Sequence, residues 1–239
     1  MLFSSFLFEV SILHQFTSLA APSQNLFLAG GKNIVQMEQR FFAAVYHNRM
    51  GEVKEILKSC KELEVNWKNE NDHGFTALHI ATRDGHYEIT RILLAHPNIK
   101  VNKQADSGDT PYLLACYKAQ TKVVKLLLSS AAVDCNLADS AECTPLWWAA
   151  FLGHVEVLKW MIASGREFDT SKKGTYGPST FSAAEIAKRN KNEPVVSLLA
   201  RLLQNPSKAL QEIRAELNVD CEFYVRSCLS LYSQIPLSY

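Results

Sequence analysis

Gly74-Phe75-Thr76-Ala77-Leu78-His79-Ile80-Ala81 is the stretch that decides the fold, because it returns twice further along the chain. Gly108-Asp109-Thr110-Pro111-Tyr112-Leu113-Leu114-Ala115 repeats its pattern, and Thr144-Pro145-Leu146-Trp147-Trp148-Ala149-Ala150 repeats it again. The threonines stand at 76, 110 and 144, so both spacings are 34 residues. The residues after each copy correspond as well. Gly85-His86 and Ile92-Leu93-Leu94 come after the first, Val123-Val124 and Leu126-Leu127-Leu128 after the second, Gly153-His154 and Val157-Leu158 after the third. Equal spacing with matching interiors is the signature of a repeat architecture.

Each copy reads as helix–turn–helix. The threonine is a good N-cap, and Pro111 and Pro145 suit the first helical position, where no backbone donor is needed. Gly85 and Gly153 fall where a short first helix ends and the chain reverses. The second helix then carries apolar residues at helical spacing, as in Ile89, Ile92 and Leu93. Such a pair cannot bury both of its faces alone, so neighbouring units must stack.

These residues resemble the ankyrin repeat: T-x-L-H-x-A followed by G-H in the first copy, T-P-L followed by G-H in the third. Lys100-Val101-Asn102 and Asp134-Cys135-Asn136 are similar to the closing V-N or D-x-N of that repeat. The resemblance covers residues 38–204. It departs from the family pattern at Ala119-Gln120 in place of Gly-His, at Leu113 and Trp147 in place of His, and at Glu142 in place of the loop Gly. Local hydrogen bonds are expected to suffer at those positions, the fold not. Two degenerate units flank the clear three. Phe41–Leu57 reads as an N-terminal capping pair, and Ser182-Ala183-Ala184-Glu185-Ile186-Ala187 with Val195-Val196 and Leu198-Leu199 as the last. Ser182 lies 38 residues after Thr144, and the four extra residues are expected in a longer loop over 172–178. The expected fold is therefore an all-α, ankyrin-type helical repeat solenoid of about five units, with non-repeat extensions at both ends.

The extensions differ from the array. Residues 1–37 carry few charges in a Ser/Phe/Leu-rich background and read as a poorly ordered N-terminal extension. Leu2–Leu13 and Ser18-Leu19-Ala20-Ala21 could be taken for a secretory signal, but no Lys or Arg precedes the apolar run and Glu9 interrupts it. After the array, residues 205–239 form the tail. Asn205-Pro206 opens a helix through Leu217, with Leu210, Ile213 and Leu217 on one stripe. Residues 219–239 are aromatic-rich and carry no assigned element.

Composition excludes several classes. Of 239 residues, 47% are hydrophobic, which rules out wholesale disorder. Charge is balanced, 25 Lys+Arg against 24 Asp+Glu, so no bulk field attracts polyanions. No apolar run reaches the length that spans a bilayer. The six cysteines show no C-x-x-C pairing and are expected as reduced thiols in the cytoplasm, with the nucleus also open. No cofactor is expected.

Catalytic chemistry finds little support. G-x-S-x-G is missing, and Gly174 and Gly177 near Lys172-Lys173 do not fit a phosphate loop. His79, His86 and His154 sit at repeat positions where the resemblance implies inter-repeat hydrogen bonds rather than metal ligation. Cys116, Cys135 and Cys143 likewise occupy repeat positions. The basic cluster Lys188-Arg189-Asn190-Lys191 reads as a solvated turn of the last unit rather than a nucleic-acid contact.

The resemblance implies a non-enzymatic protein, monomeric in itself, that binds another protein. In the family, residues just before the Thr and just after the Ala project onto the concave face. Here these are His73, Phe75, Arg83 and Asp84, then Ser107, Asp109, Tyr117 and Lys118, then Cys143, Phe151 and Leu152. Phe75, Tyr117 and Phe151 would form an aromatic face that Leu152 and Trp147 extend, rimmed by Arg83, Asp84, Asp109 and Lys118. Trp148 and Trp160 are expected in the core. A loop over 165–180 or the tail could cover Phe151 and Leu152. Two other roles stay open. One is a ubiquitin-ligase substrate adaptor, with Ile213-Arg214 and Ile235-Pro236-Leu237 faintly similar to the C-terminal box of such adaptors. The other is a nuclear regulatory cofactor acting through protein contacts.

Overall fold

The computed structural model describes residues 34–219. The expectations for the N-terminal extension, for Cys221 and Cys228, and for Ile235-Pro236-Leu237 fall outside the described residues. Within them the helices come in pairs: α1 (Ile34–Tyr46) with α2 (Met50–Ser59), α3 (Ala77–Arg83) with α4 (Tyr87–Leu94), and α5 (Pro111–Tyr117) with α6 (Thr121–Leu128). They continue as α7 (Pro145–Leu152) with α8 (Val155–Ala163), and α9 (Ala183–Arg189) with α10 (Glu193–Gln204). The array therefore has five units.

The caps expected from the sequence form. The side chains of Thr76, Thr110, Thr144 and Ser182 accept from the backbone N–H three residues on, each satisfying an orphan donor of its helix. Pro111 and Pro145 occupy the first helical position. The turn inside each pair needs one left-handed residue, and Asn48, Gly85, Ala119, Gly153 and Lys191 supply it, with φ between 53° and 76°. Glycine meets that demand without strain, whereas Ala119 and Lys191 hold it only because the flanking helices over-determine the turn.

The first helices pack in a row, α1 on α3 on α5 on α7 on α9, and the second helices form a parallel row behind them. Side chains facing both rows make the core. Ile80, Ala81, Ile89 and Leu93 of the second unit and Ala149, Ala150, Leu158 and Met161 of the fourth are fully buried. Truncating any one of the larger of these to Ala costs about 2–5 kcal/mol.

Polar side chains tie the units in register. Asn66 Nδ2 donates to Asn98 O (2.8 Å), while its Oδ1 accepts from Lys100 N (2.7 Å). Asn102 makes the same pair of bonds to Ala132 O and Asp134 N, and Asn136 makes it to Glu167 O and Asp169 N. The closing asparagines of the repeat are thus a ladder of three two-bond clamps, one at the end of each of the first three units. The loops before the first helices are joined by backbone bonds too: Asp106 N to His73 O, Ser140 N to Ser107 O, and Thr175 N to Ala141 O.

Two features go beyond a plain helical array. The four extra residues before Ser182 do not make an open loop. They build an antiparallel hairpin, β1 (Lys173–Tyr176) with β2 (Ser179–Ser182), in the register Lys173↔Ser182 and Tyr176↔Ser179. The tail helix α11 (Pro206–Glu216), capped by Asn205, is not separate from the array. It packs on α8 and α10 with Ala209 and Ile213 buried in their core, and Arg214 Nε donates to Ala163 O (2.9 Å). Lys159 and Arg201 pair with its Glu216, and Arg201 also with Glu212.

Candidate partner-binding surface

The C-terminal ends of the first helices are lined up by side chains from the next unit. Gln120 Nε2 donates to Arg83 O (3.0 Å), and His154 Nε2 lies 3.0 Å from Tyr117 O. Asn190 and Asn192 both donate to Phe151 O (2.9 and 3.2 Å). The position expected to lose its bond, where Gln120 replaces His, keeps it, because an amide N–H reaches the same carbonyl as an imidazole N–H. These bonds set Arg83, Tyr117, Phe151 and Arg189 in one row. Their chain neighbours Asp84, Lys118, Leu152 and Asn190 follow in a second.

On this row lies a continuous aromatic cluster. Tyr117 meets Trp148 edge-to-face (5.0 Å, 81°), and Trp148 meets Phe151 the same way (5.7 Å, 89°). Phe151 stacks flat on Trp147 (5.2 Å, 10°) and touches Tyr176 of β1 (5.2 Å). Tyr117, Trp148, Phe151 and Tyr176 are half-buried, so each keeps a face or edge to solvent. Trp148 Nε1 donates to the Asp139 carboxylate (2.7 Å), which fixes the ring. Lys118 Nζ lies 5.4 Å from the Tyr117 ring at one end, and the Arg189 guanidinium 5.4 Å from Tyr176 at the other. These are cation–π distances.

Several expected site residues are placed here and two are corrected. Tyr117, Phe151, Lys118 and Leu152 stand on the row, with Leu152 38% exposed. Phe75 is 2% exposed and Trp147 1%, so neither can meet a partner. The reason lies in the stacking. The residue before each N-cap Thr is covered by its own unit's first helix: the Phe75 ring lies 5.6 Å from His79, under Arg83 at 5.7 Å. Trp147 takes over the role of the His it replaces. Nε2 of His79 faces Asp109 O at 3.1 Å, and Trp147 Nε1 donates to Phe181 O at 2.8 Å, each reaching the residue before the next unit's N-cap. Leu113, at the same register in between, has no donor to offer.

Arg83 and Asp84 do not rim an open patch. Arg83 donates to both carboxylate oxygens of Asp84 (2.7 and 3.0 Å), and its side chain is only 11% exposed. Asp109 is half-buried on the loop side. Burial pushes its carboxyl up, the Ser107 hydroxyl bond opposes that, and the charge of Asp139 adds to it. Trp148, expected in the core, and Tyr176, which had no assigned role, complete the cluster instead. Trp160 is buried as expected, with Lys125 Nζ 3.5 Å above its ring.

Metal and nucleophile chemistry has no geometry on this surface. Among the described residues, no group of three or more His, Cys, Asp or Glu side chains is arranged to hold a metal ion. Burial lowers His79 to about 4, and its Nδ1 accepts from Thr76 N (3.0 Å), so the ring is neutral with its proton on Nε2. Burial raises the Cys135 thiol to about 11 and Cys143 to about 12, far from a reactive thiolate. The Ile213-Arg214 pair of the tail packs within the fold, Ile213 fully buried and Arg214 bonded to Ala163 O.

The family model for ankyrin repeats (3 copies) matches residues 38–105 and 100–173. The chain belongs to the ankyrin-repeat family. Comparison with curated proteins finds no match. The ankyrin match ends at residue 173, the first of the hairpin, yet α9 and α10 continue the array with a hydroxyl N-cap at Ser182 and backward bonds from Asn190 and Asn192, so the fifth unit follows the repeat in geometry. Ankyrin repeats are generally protein–protein interaction modules, and the family is typically non-enzymatic. Among the described residues, no helix is long and apolar enough to cross a membrane.

Proposed function

We propose that this protein is a non-enzymatic interaction scaffold or adaptor that holds a partner protein on the face carried by its first helices. The observation that carries this reading is the half-exposed aromatic cluster Tyr117–Trp148–Phe151–Tyr176, built from three successive units. Aromatic rings fixed by their neighbours lose little rotamer freedom on association, and they supply the anchors that dominate interface energetics. Stacked units hold the cluster rigidly, so a partner meets a preformed surface. Of the expected residues, Tyr117, Lys118, Phe151 and Leu152 belong to this site, and Trp148 and Tyr176 join them. Arg83 and Asp84, paired with each other, and the half-buried Asp109 stand outside it.

The test compares Phe151→Ala and Tyr117→Ala with wild type for partner capture and for melting temperature. Loss of capture with a melting temperature changed by only a few degrees supports the site. Unchanged capture with a lowered melting temperature would assign both rings to the core and remove it.

A further inference from the structure

The aromatic row has a charge pattern that the balanced composition hides. Lys118 and Lys122 flank it on the turn of the third unit; Lys188, Arg189 and Lys191 flank it on the turn of the fifth. All five are exposed, and none is in an ion pair among the described residues. The cation of the second unit differs: Arg83 is neutralised by Asp84 at 2.7 Å. Two exposed acidic side chains lie near these turns: Glu193 on the turn of the fifth unit, and Glu156 at the start of α8 in the fourth. Glu156 also accepts from Trp160 Nε1 (2.7 Å) but keeps its charge, so two carboxylates stand against five cations and the excess stays positive. Between the two cationic turns stands the fourth unit, whose turn carries no Lys or Arg and presents Leu152, with Phe151 and Trp148 beside it.

The order along the array is thus cationic, apolar, cationic. We infer that the surface takes an acidic linear peptide segment with one aliphatic or aromatic anchor between two runs of Asp or Glu, the anchor resting on Trp148, Phe151 and Leu152. This rests on the reading of the aromatic cluster as the partner-binding site and names the chemistry of its partner. Uncompensated cations at both ends of an apolar centre give complementarity and register to such a segment, and steer it in at low salt. A single-stranded nucleic acid fits less well. The half-exposed rings meet one another at 81°, 89° and 50°, and the one flat pair, Phe151 on Trp147, has its Trp147 buried, so no two offer parallel open faces to successive bases. Lys118 and Arg189 already lie against Tyr117 and Tyr176.

The probe is a displayed library of random peptides of about 12 residues, which reach roughly 40 Å when extended, panned on the full chain. The expected enrichment is an aliphatic or aromatic residue flanked on both sides by Asp or Glu. A synthetic peptide of the enriched sequence binds at least about tenfold more weakly when its acids become Ser, and also when salt rises from about 50 to about 300 mM. Lys118→Glu combined with Arg189→Glu weakens it by a similar factor. Enrichment of neutral or basic peptides, or of none, overturns the inference. If Trp148→Ala abolishes binding of a neutral enriched peptide, the site stands and only its acidic preference fails. If acidic peptides bind equally well to Trp148→Ala and Phe151→Ala, the site itself fails. Tighter binding of a single-stranded oligonucleotide of similar length, enrichment that needs removal of residues 220–239, or self-association that blocks the peptide would give the surface another occupant and overturn the inference.

Discussion

Gly174 offers the sharpest test of how the hairpin supports the aromatic face. It lies in β1 against the fourth unit, and a Cβ placed on it meets Cys143 Sγ at 2.5 Å, Cys143 Cα at 3.0 Å and Trp147 Cε2 at 3.1 Å. Its φ is not in the left-handed region, so alanine fits the backbone and only the contact is at issue. Carbon atoms pack comfortably at about 3.5–4.0 Å, so Gly174→Ala forces the hairpin to retreat by roughly 1 Å. Cys143 cannot yield: its side chain is short and buried, and the second close atom is backbone. Overpacking of this kind costs about 1–3 kcal/mol. The stiffer unfolded chain of the alanine variant offsets about 0.4–1 kcal/mol, leaving a net loss of about 1–2 kcal/mol. For a chain of this size that lowers the melting temperature by roughly 2–8 °C. Because Tyr176 sits on the same strand, 5.2 Å from Phe151, the retreat also opens one end of the aromatic cluster. Thermal melts followed by tryptophan fluorescence read both effects, since Trp147 and Trp148 lie at the contact. Cys143→Ala removes the worst clash, so the double variant loses less than the sum of the single losses, by at least about 0.5 kcal/mol. Strict additivity, or a Gly174→Ala variant as stable as wild type, would show that the hairpin is not held against Cys143.

Three further outcomes are expected. Asn66→Ala removes both bonds of a buried clamp and lowers stability by about 2 kcal/mol, read as a shift of the urea midpoint with an unchanged slope. His79 is held neutral at about 4, below its ordinary 6.5, so the unfolded chain binds the extra proton. Stability is therefore undiminished by this group above pH 6.5 and falls as pH drops towards 4, by up to about 3 kcal/mol. In His79→Leu, which copies Leu113, urea midpoints measured across that window should have a visibly shallower slope. The Tyr112 hydroxyl is buried beside the Cys116 thiol without a hydrogen bond of ordinary geometry. Tyr112→Phe should accordingly raise stability by up to about 1 kcal/mol, and a fall of that size would mean the hydroxyl is bonded.

The array was legible because stacking imposes the same demands on every unit. Thr76, Thr110, Thr144 and Ser182 mark the first helices, and the apolar residues behind them define the second. The departures were harder to weigh. Ala119-Gln120 and Glu142 looked like damage, yet Gln120 keeps the backward bond and Glu142 adopts the left-handed φ of 62° that a glycine would take more easily. The site was only partly legible. A residue's register places it on a face but does not say how deep it lies. That depends on the size of its neighbours, which is why Phe75 and Trp147 are buried while Trp148 reaches solvent. Tyr176 could not be placed at all, because the hairpin that carries it breaks the 34-residue period.

The same asymmetry among the units has a mechanical side. Pulled end to end, the array carries tension in series through its unit boundaries, and the boundary with the fewest ties yields first. Side-chain donors at one register tie the second unit to the third through His79 and the fourth to the fifth through Trp147, but Leu113 leaves the third and fourth without that tie. The aromatic cluster crosses this seam between Tyr117 and Trp148. Asn136, His154 and Arg166 still bridge that joint, and a partner seated there adds a splint across it, so the bound array should be the stiffer spring.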